Sequence, residues 1–85
     1  MPYIKKEKRE KMDQAVWKLA DCNVQADGDL NYILYKYCKK YVSPSYNNYK
    51  NFCGELRQCA TEIERRLLGP YEDKKCRENG DVEWK

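Results

Sequence analysis

The chain has 85 residues, with 17 Lys and Arg against 14 Asp and Glu, and no histidine. That length allows one domain with one modest core. The net charge of +3, with acids and bases interspersed along most of the chain, argues against a duplex-DNA binder, which concentrates its basic charge.

Charged residues at 36% and hydrophobic ones at 41% are the proportions of a folded soluble chain rather than a disordered one. A domain of this size buries only about 60–65% of its unfolded surface, so self-association would help it.

The N-terminal Met1-Pro2-Tyr3-Ile4-Lys5-Lys6 has basic residues but no apolar run behind them, so it does not read as a signal peptide. No stretch approaches the ~20 apolar residues of a membrane helix. The expected location is the cytoplasm, with no membrane contact.

Residues 6–23 predict an amphipathic helix, with Met12, Ala15, Val16, Leu19 and Cys22 at helical spacing. Gly28-Asp29 is a stop-and-cap signal, and Asp29 is the expected N-cap of the next helix. That helix, 30–42, carries Leu30, Ile33, Leu34, Tyr37, Cys38 and Tyr41 on one face. Ser43-Pro44-Ser45 ends it, because proline disfavours helix in the residue before it.

Ser45 or Asn47 can cap a third helix, 46–68, whose apolar face is Tyr49, Phe52, Cys53, Leu56, Ala60, Ile63 and Leu67. Gly54, Thr61 and Leu68 recur every seventh position away from that face. They form either a second, closely approached seam or a stretch of surface with a tolerated glycine. Gly69-Pro70 is expected to break the helix. Pro70 suits the first position of a short fourth helix, 70–79, with Glu72 and Asp73 in its first turn and Gly80 at its end. A free tail, 80–85, follows. No strand pattern or repeat is present.

The five cysteines are odd in number and contain no Cys-x-x-Cys pair. They read as reduced, buried small hydrophobes. Without histidine a structural zinc site is not expected, and no cofactor is implied.

Four segments, Met1-Pro2-Tyr3-Ile4, Gly28-Asp29-Leu30-Asn31-Tyr32, Arg65-Arg66 with Pro70-Tyr71-Glu72-Asp73-Lys74-Lys75, and Glu78-Asn79-Gly80-Asp81-Val82, span nearly the whole chain. In order and spacing the chain resembles a family of small phage and prophage proteins. The resemblance implies a compact helical protein of phage-like origin and no particular activity. The chain departs from the family pattern over 35–51, which is richer in tyrosine and cysteine.

Several surfaces are candidates for binding. Tyr32, Tyr35, Lys36 and Lys39 share the side of the second helix away from its apolar face. Rings beside ammonium groups can stack on a base and neutralise a phosphate, and the same composition also suits a dimer interface or a solvated face. Trp17 lies opposite Met12, Val16 and Leu19, where a tryptophan often marks an interface. Arg65 and Arg66 can hold a carboxylate or phosphate bidentately. Their expected intramolecular partners are Glu72, Asp73 or Asp29. With Tyr71, Lys74 and the start of the fourth helix they could instead form an anion site, in which Asp29 and Asn31 read hydroxyls or base edges.

No nucleophile elbow, Gly-rich phosphate loop or helically spaced metal-binding carboxylate cluster is present. Only Cys76, between Lys75 and Arg77, has the cationic neighbours a reactive thiol needs. A non-enzymatic protein is therefore expected.

The expectation is an all-α fold: a three-helix antiparallel bundle-like domain with a short fourth helix, 1–85, forming a homo-oligomer. Two functions follow. One is a phage-type binding protein, in its sharpest form a counter-defence protein that sequesters a nucleotide-like anion through Arg65, Arg66, Tyr71 and Lys74 with Asp29, Asn31, Tyr32 and Lys36. The other is an interaction module docking on a host or phage protein through Trp17, Tyr35, Lys39 and the Gly54, Thr61, Leu68 seam. Single-stranded nucleic-acid binding is a third.

Overall fold

A computed structural model of the chain describes residues 4–82. Met1, Pro2 and Tyr3 of the first resemblance segment, and the 83–85 end of the expected tail, lie outside the described residues. The described residues are 81% helical, with no strand among them. They fall into two compact units, Met1–Pro44 and Ser45–Lys85.

The first unit holds α1 (Lys6–Asp21) and α2 (Gly28–Tyr41). Helix α1 starts without a side-chain cap. The Arg9 Nε, one turn in, donates to the Ile4 carbonyl at 2.9 Å. The end of α1 is better specified. Asn23 adopts the left-handed conformation, φ 54°. Its N–H donates to Ala20 O at 2.9 Å, and the Val24 N–H donates to Leu19 O at 3.2 Å. These two bonds make a Schellman motif, which satisfies carbonyls that a helix end otherwise leaves bare. Asparagine suits that position because its short polar side chain tolerates a left-handed backbone. The Asn23 side chain adds to the turn: its Oδ1 accepts from the Gln25 amide at 2.8 Å.

Helix α2 begins two residues earlier than the sequence predicts. Its N-cap is Asp27, whose carboxylate accepts from the Asp29 N–H at 2.9 Å. Asp29, expected to be the cap, sits inside the first turn and reaches back, accepting from the Gln25 N–H at 3.3 Å. Two acids two residues apart compete for one cap. Asp27 prevails because Gly28 is taken into the helix rather than left before it. The last bond of α2, Val42 N–H to Cys38 O at 3.1 Å, leaves Val42 extended ahead of Ser43-Pro44.

The second unit is built on one continuous helical run from Tyr46 to Asn79, α3 (Tyr46–Ile63), a π turn (Glu64–Leu68) and α4 (Gly69–Asn79). Ser45 is the N-cap of α3, and its hydroxyl accepts from the Asn48 N–H at 3.0 Å. The expected break at Gly69-Pro70 does not occur. A proline inside an α-helix removes one hydrogen bond and drives its ring toward the carbonyl four residues back, here that of Arg66. The turn before Pro70 widens instead: the Gly69 N–H donates to Glu64 O, five residues back. A π turn adds a residue to one turn and shifts the following carbonyls in phase. The helix therefore passes the proline without ending. Gly80, at φ 81°, stops it.

Among the described residues none is buried. Each helix keeps the amphipathic pattern of its sequence, but the apolar side is half-exposed rather than enclosed. The cysteines follow suit. All five are free, with Cys38 half-buried and Cys22, Cys53, Cys59 and Cys76 exposed, so the expectation of buried thiols is corrected. No described helix is long and apolar enough to cross a membrane.

The two glycines of the second unit's helix sit in different surroundings. A Cβ at Gly54 would meet nothing within 4 Å, whereas one at Gly69 would lie 3.2 Å from Glu64 O, the carbonyl that closes the π turn. Gly54→Ala should therefore stabilise the helix by the full ~1 kcal/mol of an interior Gly-to-Ala exchange. Gly69→Ala should gain clearly less. Thermal melts followed by circular dichroism check both, and a loss at Gly54 would show that its open side is used as a close seam. At the end of α1, Asn23→Gly should be neutral or better, while Asn23→Ala should cost about 1 kcal/mol. Equal effects of the two substitutions would remove the left-handed cap from the account.

Candidate functional site

The outward face of α2 is the most chemically distinctive surface of the first unit. Tyr32, Tyr35, Lys36 and Lys39 fall on it, at positions i, i+3, i+4 and i+7. Tyr32 is 62% exposed and Tyr35 67%. The Lys36 ammonium donates to the Tyr32 hydroxyl at 3.0 Å and lies 5.3 Å from the centre of the same ring. That hydrogen bond, and then the attraction of a Tyr32 phenolate, hold the Lys36 pKa above the ordinary lysine value. A raised lysine pKa adds stability below the ordinary value and loses it only as pH rises past the raised one. Lys36 is thus fully cationic at neutral pH.

Around the helix, Lys40 lies 5.5 Å from the Tyr41 ring centre, and the Tyr37 and Tyr41 rings meet at 5.4 Å with a 43° tilt. Next to this face is an open depression of about 340 Å³, lined by Cys22, Val24, Gly28, Asp29, Tyr32 and Ile33. Two of the candidate ligand residues, Asp29 and Tyr32, line it. The Asp29 carboxylate is already engaged with the Gln25 N–H. Asn31 is exposed, and its backbone N–H donates to Asp27 O at 3.3 Å in the first turn of α2.

The other candidates are in the second unit. Arg65 and Arg66 lie within the π turn, and their partner is none of those expected. Both meet Glu62: Arg65 at 2.7 Å on Oε1 and Arg66 at 3.8 Å on Oε2. Glu62 lies three and four residues before them, the two offsets that share a helix face. Its side chain is 19% exposed, against 68% and 61% for the arginines. Oε2 is shielded from solvent and accepts no hydrogen bond. A half-exposed pair of this kind stabilises a helix by a few tenths of a kcal/mol, about 0.3–0.5. Two guanidinium groups already share one carboxylate, so this turn is a clamp on Glu62 before it is a cradle for an outside anion.

Tyr71 pairs with Lys75 rather than with Lys74. The Lys75 ammonium lies 5.6 Å from the Tyr71 ring centre and 3.1 Å from Glu78 Oε2. Lys74 is exposed on the same helix. Of the proposed seam, Thr61 turns its hydroxyl back to Arg57 O at 3.0 Å, Leu68 is exposed, and Gly54 faces open space. Trp17, on α1, is 65% exposed. Among the described residues no group of three or more His, Cys, Asp or Glu could hold a metal ion.

Two features lay outside the sequence reading. One is the recurrence of Tyr-x-x-x-Lys, at Tyr32 with Lys36, Tyr35 with Lys39, Tyr46 with Lys50 and Tyr71 with Lys75. In the first, third and fourth the ammonium lies 5.3, 5.8 and 5.6 Å from the ring centre. The i, i+4 offset was the available signal. The other is the distribution of acids. Residues 30–54 contain no Asp or Glu, but four lysines and six tyrosines. The small net charge of the whole chain hides this stretch.

A family model described as Domain of unknown function (DUF6899) matches residues 1–82. No curated protein and no solved structure matches the chain. With nearly its whole length matched by that model, the chain belongs to the DUF6899 family.

Proposed function

We propose that this protein is a non-catalytic interaction module that works through the apolar faces of its helices, with a second copy of the chain as the first partner. The observation that carries the reading is the stripe along the long helix. Tyr49, Phe52, Leu56, Cys59, Ile63 and Leu67 recur at steps of three or four. That is the spacing of a helix seam that packs against another helix. Ile63 is 49% exposed and Leu67 66%, so the stripe holds apolar surface that packing would remove from water. An antiparallel bundle of the three helices, completed by a second copy, is the arrangement that suits these faces. The phage-like origin belongs to the same proposal and rests on the resemblance of the four segments.

Capture of a nucleotide-like anion by Arg65 and Arg66 is supported less well, because Glu62 already occupies both. The exposed Trp17 suits a docking edge for another protein.

Ile63→Glu tests the stripe while keeping a good helix former at the position. Sedimentation equilibrium should show the unaltered chain as an oligomer that dissociates on dilution. The variant should remain helical by circular dichroism and dissociate at least about ten-fold more readily, from the ~1.5–3 kcal/mol that burying one such side chain contributes. An unaltered chain that is monomeric at every concentration, or a variant that associates as well as its parent, would contradict the proposal.

A further inference from the structure

We infer that the outward face of α2 is a binding surface for single-stranded nucleic acid, with Tyr32 and Tyr35 as stacking platforms and Lys36 and Lys39 as phosphate contacts. This goes beyond the helix-packing reading. It uses the side of α2 away from Ile33, Leu34 and Cys38, so it survives whether or not the apolar faces find a second copy.

The first support is exposure. A helix that turns one side to water normally fills it with charged and small polar residues. This face instead presents two tyrosines, each more than three-fifths exposed. Single-strand binders combine exposed aromatic rings, on which bases stack, with cations that follow the backbone. Tyr32 and Tyr35 are one step of three apart, about 4.5 Å along the helix axis. Two neighbouring bases of a flexible strand can reach two rings at that offset, whereas the bases of a duplex stay stacked on each other.

The second support is charge. After Asp29, α2 has Lys36, Lys39 and Lys40 and no acid through its end at Tyr41. No side chain on that length of helix neutralises them. Lys36 is held beside the Tyr32 ring by its hydrogen bond to the hydroxyl, so an ammonium and a π face are presented together. A ring that stacks on a base while its neighbour meets the adjoining phosphate matches the repeat of a nucleic-acid strand. An acidic peptide would satisfy the lysines and leave the rings without a planar partner.

The test is fluorescence anisotropy of the full chain with a labelled single-stranded oligothymidylate, at low and moderate salt. Inorganic polyphosphate, duplex DNA and thymidine monophosphate serve as competitors. The expected result is binding that weakens with salt, with a log–log slope of about −1.4 for two phosphate contacts at ~0.7 each. Tyr32→Ala and Tyr35→Ala should each weaken it about five-fold or more. Tyr32→Phe and Tyr35→Phe, which keep the rings, should bind nearly as the parent does. Lys36→Gln with Lys39→Gln should flatten the salt slope. Circular dichroism of each variant confirms that α2 remains folded. Absence of binding at low salt overturns the inference. So does polyphosphate competing as well as the oligonucleotide with no effect of the alanine variants, which would make the face a plain cation patch. Monophosphate binding as tight as the oligonucleotide also overturns it, because the two-ring geometry would then be unused.

Discussion

The apolar stripe from Tyr49 to Leu67 is the constraint on which the other features depend. A helix gains little stability from its own hydrogen bonds in water, and most of it comes from packing an apolar side. Removing apolar surface from water gives roughly 25 cal/mol per Å², so Ile63 and Leu67 alone represent several kcal/mol while they stay exposed. That is a large share of the ~5–15 kcal/mol by which a domain is stable. The reading of the protein as an interaction module follows from this magnitude. Surface ion pairs such as Arg65 with Glu62 are an order smaller and cannot set the assembly.

Local hydrogen bonding then decides where each helix begins and ends. Asn23, Asp27 and Ser45 satisfy backbone groups at three helix ends with their own side chains or left-handed backbone. The π turn does the same for a proline, shifting one carbonyl pairing so that the helical run continues through Pro70 rather than stopping at Leu68. The cost of the wider turn falls on Gly69, whose missing Cβ leaves room beside Glu64 O. Stripe and turn are thus linked: a break at Pro70 would have ended the helical run at the point where the stripe reaches Leu67.

The helices themselves are legible because apolar spacing is a whole-segment signal: 30–42 is observed as Gly28–Tyr41, and 46–68 starts at Tyr46 as expected, though its helical run continues to Asn79. The details that went astray are one-bond events. Asp27 and Asp29 are chemically equal caps, and only the backbone path through Gly28 selects between them. Gly69-Pro70 reads as a break because propensity assumes an α turn, and propensity carries no information on a five-residue register. The partner of Arg65 and Arg66 was legible and missed: Glu62 stands at the i−3 and i−4 offsets. The thiols are expected inside because cysteine is usually buried, yet Cys22, Cys53, Cys59 and Cys76 stand at exposed positions and only Cys38 is half-buried. For the candidate site, Tyr32, Tyr35, Lys36 and Lys39 could be read from helical spacing. The acid-free stretch around them was masked by averaging charge over the whole chain.

The central claim is that the helix faces are completed by a second copy, and the concentration dependence of thermal unfolding tests it most directly. Folding coupled to association makes the melting temperature rise with protein concentration, because mass action favours the assembled folded state. The account predicts a Tm of the full chain that climbs steadily as concentration is raised. A sharp transition at one fixed Tm across the same range would contradict it, since the chain would then melt alone, with no second copy covering the Tyr49–Leu67 stripe.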